Sequence, residues 1–95
     1  MTGRAVIGGA SVPRLPVGVR LKHDAVRKQW VLLAPERMFV LDEIALEVLR
    51  ACDGAHSVDA IVDGFASRFN APRETIFADV NALLQDFADK GMLVA

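Results

Sequence analysis

The run Gln29-Trp30-Val31-Leu32-Leu33-Ala34-Pro35-Glu36-Arg37-Met38-Phe39-Val40-Leu41 constrains the fold more than any other part of the chain. β-Branched and aromatic residues on either side of Ala34-Pro35-Glu36 predict two short strands around a turn. The second strand runs into Asp42, a good N-cap, with Glu43 placed for the positive end of a helix dipole. An apolar strand pair on an otherwise helical domain leaves an edge of backbone groups that can take up an extended peptide.

Upstream, Val19, Leu21 and His23 alternate with Arg20 and Lys22, so a half-buried strand is expected from Val17 to His23. Asp24 to Arg27 makes a turn, Lys28 to Leu33 the second strand and Arg37 to Leu41 the third, with connections short enough for an antiparallel meander. Helix one is expected over Glu43 to Asp53, with Ile44, Ala45, Val48, Leu49 and Cys52 inward, Leu46 nearly opposite them, and Gly54 as the left-handed C′ residue. Ser57 caps helix two, Val58 to Phe69, whose stripe is Val58, Ile61, Val62, Phe65 and Phe69. Gly64 within it suggests close approach of another backbone. Pro72 opens helix three, about Arg73 to Lys90, which Gly91 ends. Its core stripe is Ile76, Val80, Leu83 and Phe87; Asp79, Asp86 and Lys90 lie on one flank, and Phe77, Leu84 and Ala88 on the other. That wide apolar flank either forms a pocket or packs under strand three or helix one. The fold class is α+β, winged helix-turn-helix-like, a three-stranded antiparallel meander followed by three helices. Residues 1–16, with Gly3, Gly8, Gly9, Pro13 and Pro16, are expected to be a flexible tail or linker remnant ahead of a domain spanning 17–95.

Composition narrows the function. A chain of 95 residues, 53% hydrophobic, can bury a modest core without a disulfide, and its single cysteine, Cys52, cannot form an internal one. No apolar run is long enough to span a bilayer and no signal-peptide pattern is evident, so a cytoplasmic protein is expected. His23 and His56 stand far apart without zinc-ligand spacing, Gly8-Gly9 does not lie in a phosphate-binding pattern, and Cys52 falls on an apolar helix face. These observations predict no enzyme, no metal and no cofactor. The charges divide: residues 1–41 carry seven Lys/Arg against two acids (net +5), whereas residues 42–95 carry four against ten (net −6). A winged-helix DNA-binding regulator is the alternative reading, which the basic strands favour and the acidic second and third helices oppose.

The ordered set Pro16-Val17-Gly18-Val19-Arg20-Leu21, Trp30-Val31-Leu32-Leu33-Ala34-Pro35-Glu36-Arg37, Cys52-Asp53-Gly54 with Ser57-Val58, and Asp79-Val80 with Leu83-Leu84 before Gly91 resembles the PqqD family of RiPP recognition elements, over roughly residues 13–94. The resemblance implies a peptide chaperone that binds the precursor peptide PqqA and presents it to the radical SAM enzyme PqqE, which crosslinks a Glu and a Tyr of that peptide. It also implies possible association with PqqC, since such domains can be fused behind it and residues 1–16 could be the linker of such a fusion. The peptide is expected as a strand beside Arg37, Met38, Phe39, Val40 and Leu41, in a groove walled by Arg73, Phe77, Val80 and Leu84 of helix three. The same edge could pair with a copy of the chain, leaving monomer and dimer both open.

Overall fold

A computed structural model describes residues 6–95. Three strands, β1 (Arg20–Asp24), β2 (Gln29–Ala34) and β3 (Arg37–Leu41), precede three helices, α1 (Glu43–Arg50), α2 (Val58–Phe69) and α3 (Arg73–Asp89). The sheet is antiparallel in the order β1-β2-β3, with Leu21 opposite Leu32 and Leu32 opposite Phe39. These three share the inner face with Trp30 and Leu41; Leu32 is wholly buried, since β2 has a strand on each side and the helices beneath it. β1 begins at Arg20 rather than Val17 because Gly18 turns the chain with φ +88°. Asp24 Oδ1 accepts from the backbone N–H of Val26 (3.1 Å) and Arg27 (3.2 Å), which fixes the β1–β2 turn.

The helices start where the sequence places them. Asp42 accepts from Ala45 N–H at 2.7 Å and Ser57 from Ala60 N–H at 3.1 Å. α1 stops at Arg50, short of Asp53, because the chain then turns to meet the amino-terminal segment: Gly54 N–H donates to the Pro13 carbonyl at 3.0 Å and Asp53 bridges to Arg14.

That segment corrects the expectation of a flexible tail; residues 1–5 lie outside the described residues, but the chain from Ile7 onward is built into the domain. Ile7 and Pro13 are buried. The carbonyls of Gly9 and Ser11 accept from Asp59 N–H (2.9 Å) and Val58 N–H (2.8 Å), satisfying first-turn donors of α2 that no helical carbonyl can reach. Arg14 and Val94 exchange both backbone hydrogen bonds, 2.8 and 3.0 Å, so the two ends of the domain are tied together. Backbone pairing of this kind leaves no side-chain period, and Gly9 is what lets the chain run so close to α2, since a Cβ there would meet the Asp59 carboxylate at 2.5 Å.

Three further expectations change. In α1 the buried set is Ala45, Leu46, Val48 and Leu49, while Ile44 is 73% exposed: the helix is rotated toward Leu46 because the core encloses a wide arc of this short helix. At the end of α2, Phe69 is 57% exposed, stacked on Phe65 at 5.9 Å rather than inside the core. Gly64 is exposed and an added Cβ would meet nothing within 4 Å, so no backbone approaches it. Gly64→Ala should therefore stabilise the domain by about 0.5–1 kcal/mol through helix propensity alone, read as a higher midpoint with an unchanged slope in urea denaturation.

Candidate peptide-binding edge and groove

β3 has β2 on one side only. The β2–β3 connection is a two-residue turn, Pro35-Glu36, so its flanking pair Ala34 and Arg37 forms the hydrogen-bonded rung. By alternation Arg37, Phe39 and Leu41 direct their backbone groups at β2, and Met38 and Val40 direct theirs at the open edge. The side chains of Met38 (51% exposed) and Val40 (59%) point to the outer face of the sheet, whereas Phe39 and Leu41 pack inward.

β3 is fastened to α3 at one end. The Arg37 guanidinium donates to the carbonyl of Lys90, at the carboxyl end of α3, where a cation also suits the helix dipole. Phe39 meets Phe87 edge to face at 6.0 Å and 85°. The Lys90 ammonium lies 5.4 Å from the Phe39 ring centre and is paired with Asp86 at 2.7 Å. At the opposite end, beyond Leu41, α1, α2 and α3 enclose a groove of ≈ 420 Å³. Val48, Phe65 and Val80 lie at its bottom, Ile44, Phe69 and Ile76 form its sides, and Glu43, Glu47, Arg68 and Asp79 edge it.

Of the helix-three residues expected along the peptide, Val80 lines this groove. Leu84 does not: it is 0% exposed in the core, because the buried face of α3 is centred on Val80, Leu84 and Phe87 rather than on Ile76 and Leu83. Arg73 and Phe77 lie on the flank turned to α2. Arg73 bonds Asp63 Oδ1 (2.6 Å) and Asp59 Oδ1 (2.8 Å), which raises its pKa, and its guanidinium sits 5.9 Å from the Phe77 ring centre. The structure thus keeps the five β3 residues on one edge strand, places Val80 in the groove between the helices, buries Leu84 in the core and turns Arg73 to α2. Missed by sequence reasoning were Ile44, Phe69, Ile76 and Asp79. The one sequence signal was an Ile directly inside an N-cap, a position that faces outward as readily as inward.

The remaining chemical groups are occupied structurally. His56 Nδ1 lies 2.9–3.0 Å from both Asp53 carboxylate oxygens, and Asp53 also accepts from Ala55 N–H at 2.9 Å; that backbone bond first, then the histidine, lowers the Asp53 pKa. His23 packs on Trp30 across the β1–β2 pair at 5.1 Å, and the Arg50 guanidinium lies 4.7 Å from the Trp30 ring centre. Cys52 is buried with its thiol on the Val48 carbonyl at 3.3 Å.

Over residues 29–93 the sequence matches the family Coenzyme PQQ synthesis protein D (PqqD). It is 52% identical over 90 residues to a PqqA binding protein of Rhodopseudomonas palustris (strain TIE-1), covering 95% of this chain and 88% of that one. A PqqA binding protein of Rhizobium meliloti (strain 1021) is 47% identical over 88 residues, with 93% and 90% covered. The solution structure of the PqqD truncation of Methylobacterium extorquens PqqCD, a stand-alone RiPP recognition element, aligns with a TM-score of 0.80 at 43% identity over 94% of this chain and 95% of that one. The crystal structure of PqqD from Xanthomonas campestris aligns with a TM-score of 0.60 at 44% identity, covering 94% and 99%.

Burial, then the neighbouring Asp53 charge, pushes the Cys52 pKa up from 9.0 to about 12. Reactive thiolate is therefore scarce in the native protein, and a disulfide reagent at pH 8 should label it orders of magnitude more slowly than the denatured chain. The same shift has a pH signature. The unfolded thiol ionises near 9.0 and the folded one near about 12, so this contribution to stability is whole below pH 9 and lost as pH rises toward 12. Cys52→Ala should flatten that part of the alkaline stability profile.

Proposed function

This chain belongs to the PqqD family, and from that premise we propose that it is a non-catalytic peptide chaperone that binds the precursor peptide PqqA as an added strand on β3 and presents it to PqqE in pyrroloquinoline quinone biosynthesis. The observation that carries the reading is the open edge of β3, where Met38 and Val40 offer outward N–H and C=O groups beside an apolar groove. A fourth strand there would gain backbone hydrogen bonds in any register, and α3 would lie along one side of it. β1 is less suited: its exposed Arg20, Lys22 and His23 place cations and polar groups along an edge, a common protection against pairing.

Val80 and the β3 residues Arg37, Met38, Phe39, Val40 and Leu41 remain the assigned contact residues; Phe77 and Arg73 act on the ligand only through the position of α3. Association with PqqC belongs to the same proposal, since the Methylobacterium extorquens relative is a truncation of a PqqCD protein. The DNA-binding alternative gains nothing from the geometry. Arg73 and Lys90 are held by Asp59, Asp63 and Asp86, and the exposed face of α3 bears Glu74, Asp79, Asp86 and Asp89, which repel phosphate.

Val40→Pro tests the strand. It removes an outward N–H while leaving the β2 ladder intact, so the protein should retain its circular dichroism spectrum and bind PqqA about tenfold or more weakly by calorimetry. Unchanged affinity in a folded variant would contradict strand addition at β3.

A further inference from the structure

The groove beyond Leu41 has a chemistry of its own. Its bottom is apolar, with Val48, Phe65 and Val80 all buried, and its sides expose apolar surface that nothing among the described residues covers, chiefly Ile44 and Phe69. Three carboxylates, Glu43, Glu47 and Asp79, edge it against one guanidinium, Arg68. That guanidinium is already committed: it pairs with Glu47 at 3.2 Å and lies 5.4 and 5.1 Å from the ring centres of Phe65 and Phe69. Arg50 also approaches Glu47, at 3.8 Å. Glu43 and Asp79 are exposed and have no ion pair among the described residues. The groove is therefore an apolar pocket under two uncompensated negative charges, on a domain whose strand half is basic.

Its place decides what fills it. Glu43 and Ile44, two of its lining residues, lie within three residues of the end of β3, so a strand paired with Met38 and Val40 and continued past Leu41 would run toward the pocket. We infer that this pocket is the anchor site that selects the peptide: it takes one large apolar side chain of the bound segment, with a Lys or Arg within two residues of it held between Glu43 and Asp79. This rests on the β3 reading and adds a specificity rule to it.

The physical case is one of matched costs. An acidic segment is repelled by both carboxylates. A purely apolar segment would draw Glu43 and Asp79 out of water with nothing to pair with, which opposes binding. A cation beside the apolar anchor is attracted by both carboxylates and offsets one of the two charges, while its aliphatic stem covers the exposed side of Ile44 or Ile76.

Calorimetric titration with PqqA at low and high salt tests this on wild type, Glu43→Gln/Asp79→Asn and Ile44→Ala. All three positions are exposed, so the fold is expected to survive and circular dichroism checks it. The double variant should bind about five- to tenfold more weakly at low salt, with the gap closing as salt rises. Ile44→Ala should lose about tenfold at either salt. A PqqA peptide with every Lys and Arg replaced by norleucine should bind wild type more weakly than PqqA does, and should bind the double variant better than wild type, because its neutral amides cost less to desolvate than two unpaired carboxylates. Full affinity in both variants, with Val40→Pro still impaired, overturns the pocket and leaves strand addition standing. Loss in Ile44→Ala with none in the double variant overturns the charge rule. If wild type does not bind PqqA, both the function and the pocket fall.

Discussion

A sheet of three strands has only one interior strand, and that constraint shapes the rest of the domain. β2 satisfies its ladder on both sides and carries the wholly buried Leu32; β1 and β3 satisfy theirs on one. Such a sheet can bury one face, so the helices gather beneath Leu21, Trp30, Leu32, Phe39 and Leu41, and two backbone edges are left over. The edges are not equivalent. Arg20, Lys22 and His23 guard β1, while β3 after Arg37 is Met38, Phe39, Val40 and Leu41, with no charge to discourage pairing. A binding function therefore follows from how small the sheet is and from which of its edges the sequence leaves apolar.

The second determinant is how β3 and α3 are joined. They are joined through Arg37 on the Lys90 carbonyl and Phe39 on Phe87. α3 is otherwise held from behind: Arg73 ties it to Asp59 and Asp63 of α2, and Gln85 accepts from the Ile7 backbone at 2.8 Å. The amino-terminal segment in turn bonds the first turn of α2 and pairs with Val94, so α3 is braced through α2 and the amino-terminal segment. A braced wall loses little freedom when a peptide arrives, which favours affinity from a modest contact area.

Much of this was legible in the sequence. The Pro35-Glu36 turn, the caps at Asp42 and Ser57 and the glycine stop at Gly91 are short-range signals, and they placed β3, α2 and α3 within a residue of where they lie. What failed was orientation. Ile44 and Leu46 sit 100° to either side of Ala45, so helical periodicity cannot say which is inside; only the wide core around this short helix decides for Leu46. The same ambiguity on α3 left open whether the flank with Leu84 formed a pocket or packed inward, and Leu84 belongs to the core. The amino-terminal segment was missed because its contacts are backbone to backbone, and the groove because Ile44, Phe69 and Ile76 come from three helices and share no pattern in the chain.

Strand addition alone poses a problem of register. The backbone groups of Met38 and Val40 pair equally well with a ligand strand shifted by two residues, and a shift by one turns every ligand side chain to the opposite face. A chaperone that must present a defined part of a peptide needs a feature that breaks this degeneracy. The Phe39–Phe87 contact joins β3 to α3, and the groove between the helices lies beyond Leu41. The pocket between Ile44, Phe69 and Ile76 is there, and a single side chain seated in it would set the position of every residue paired along β3. In that arrangement backbone hydrogen bonds would supply affinity and the pocket would fix the frame.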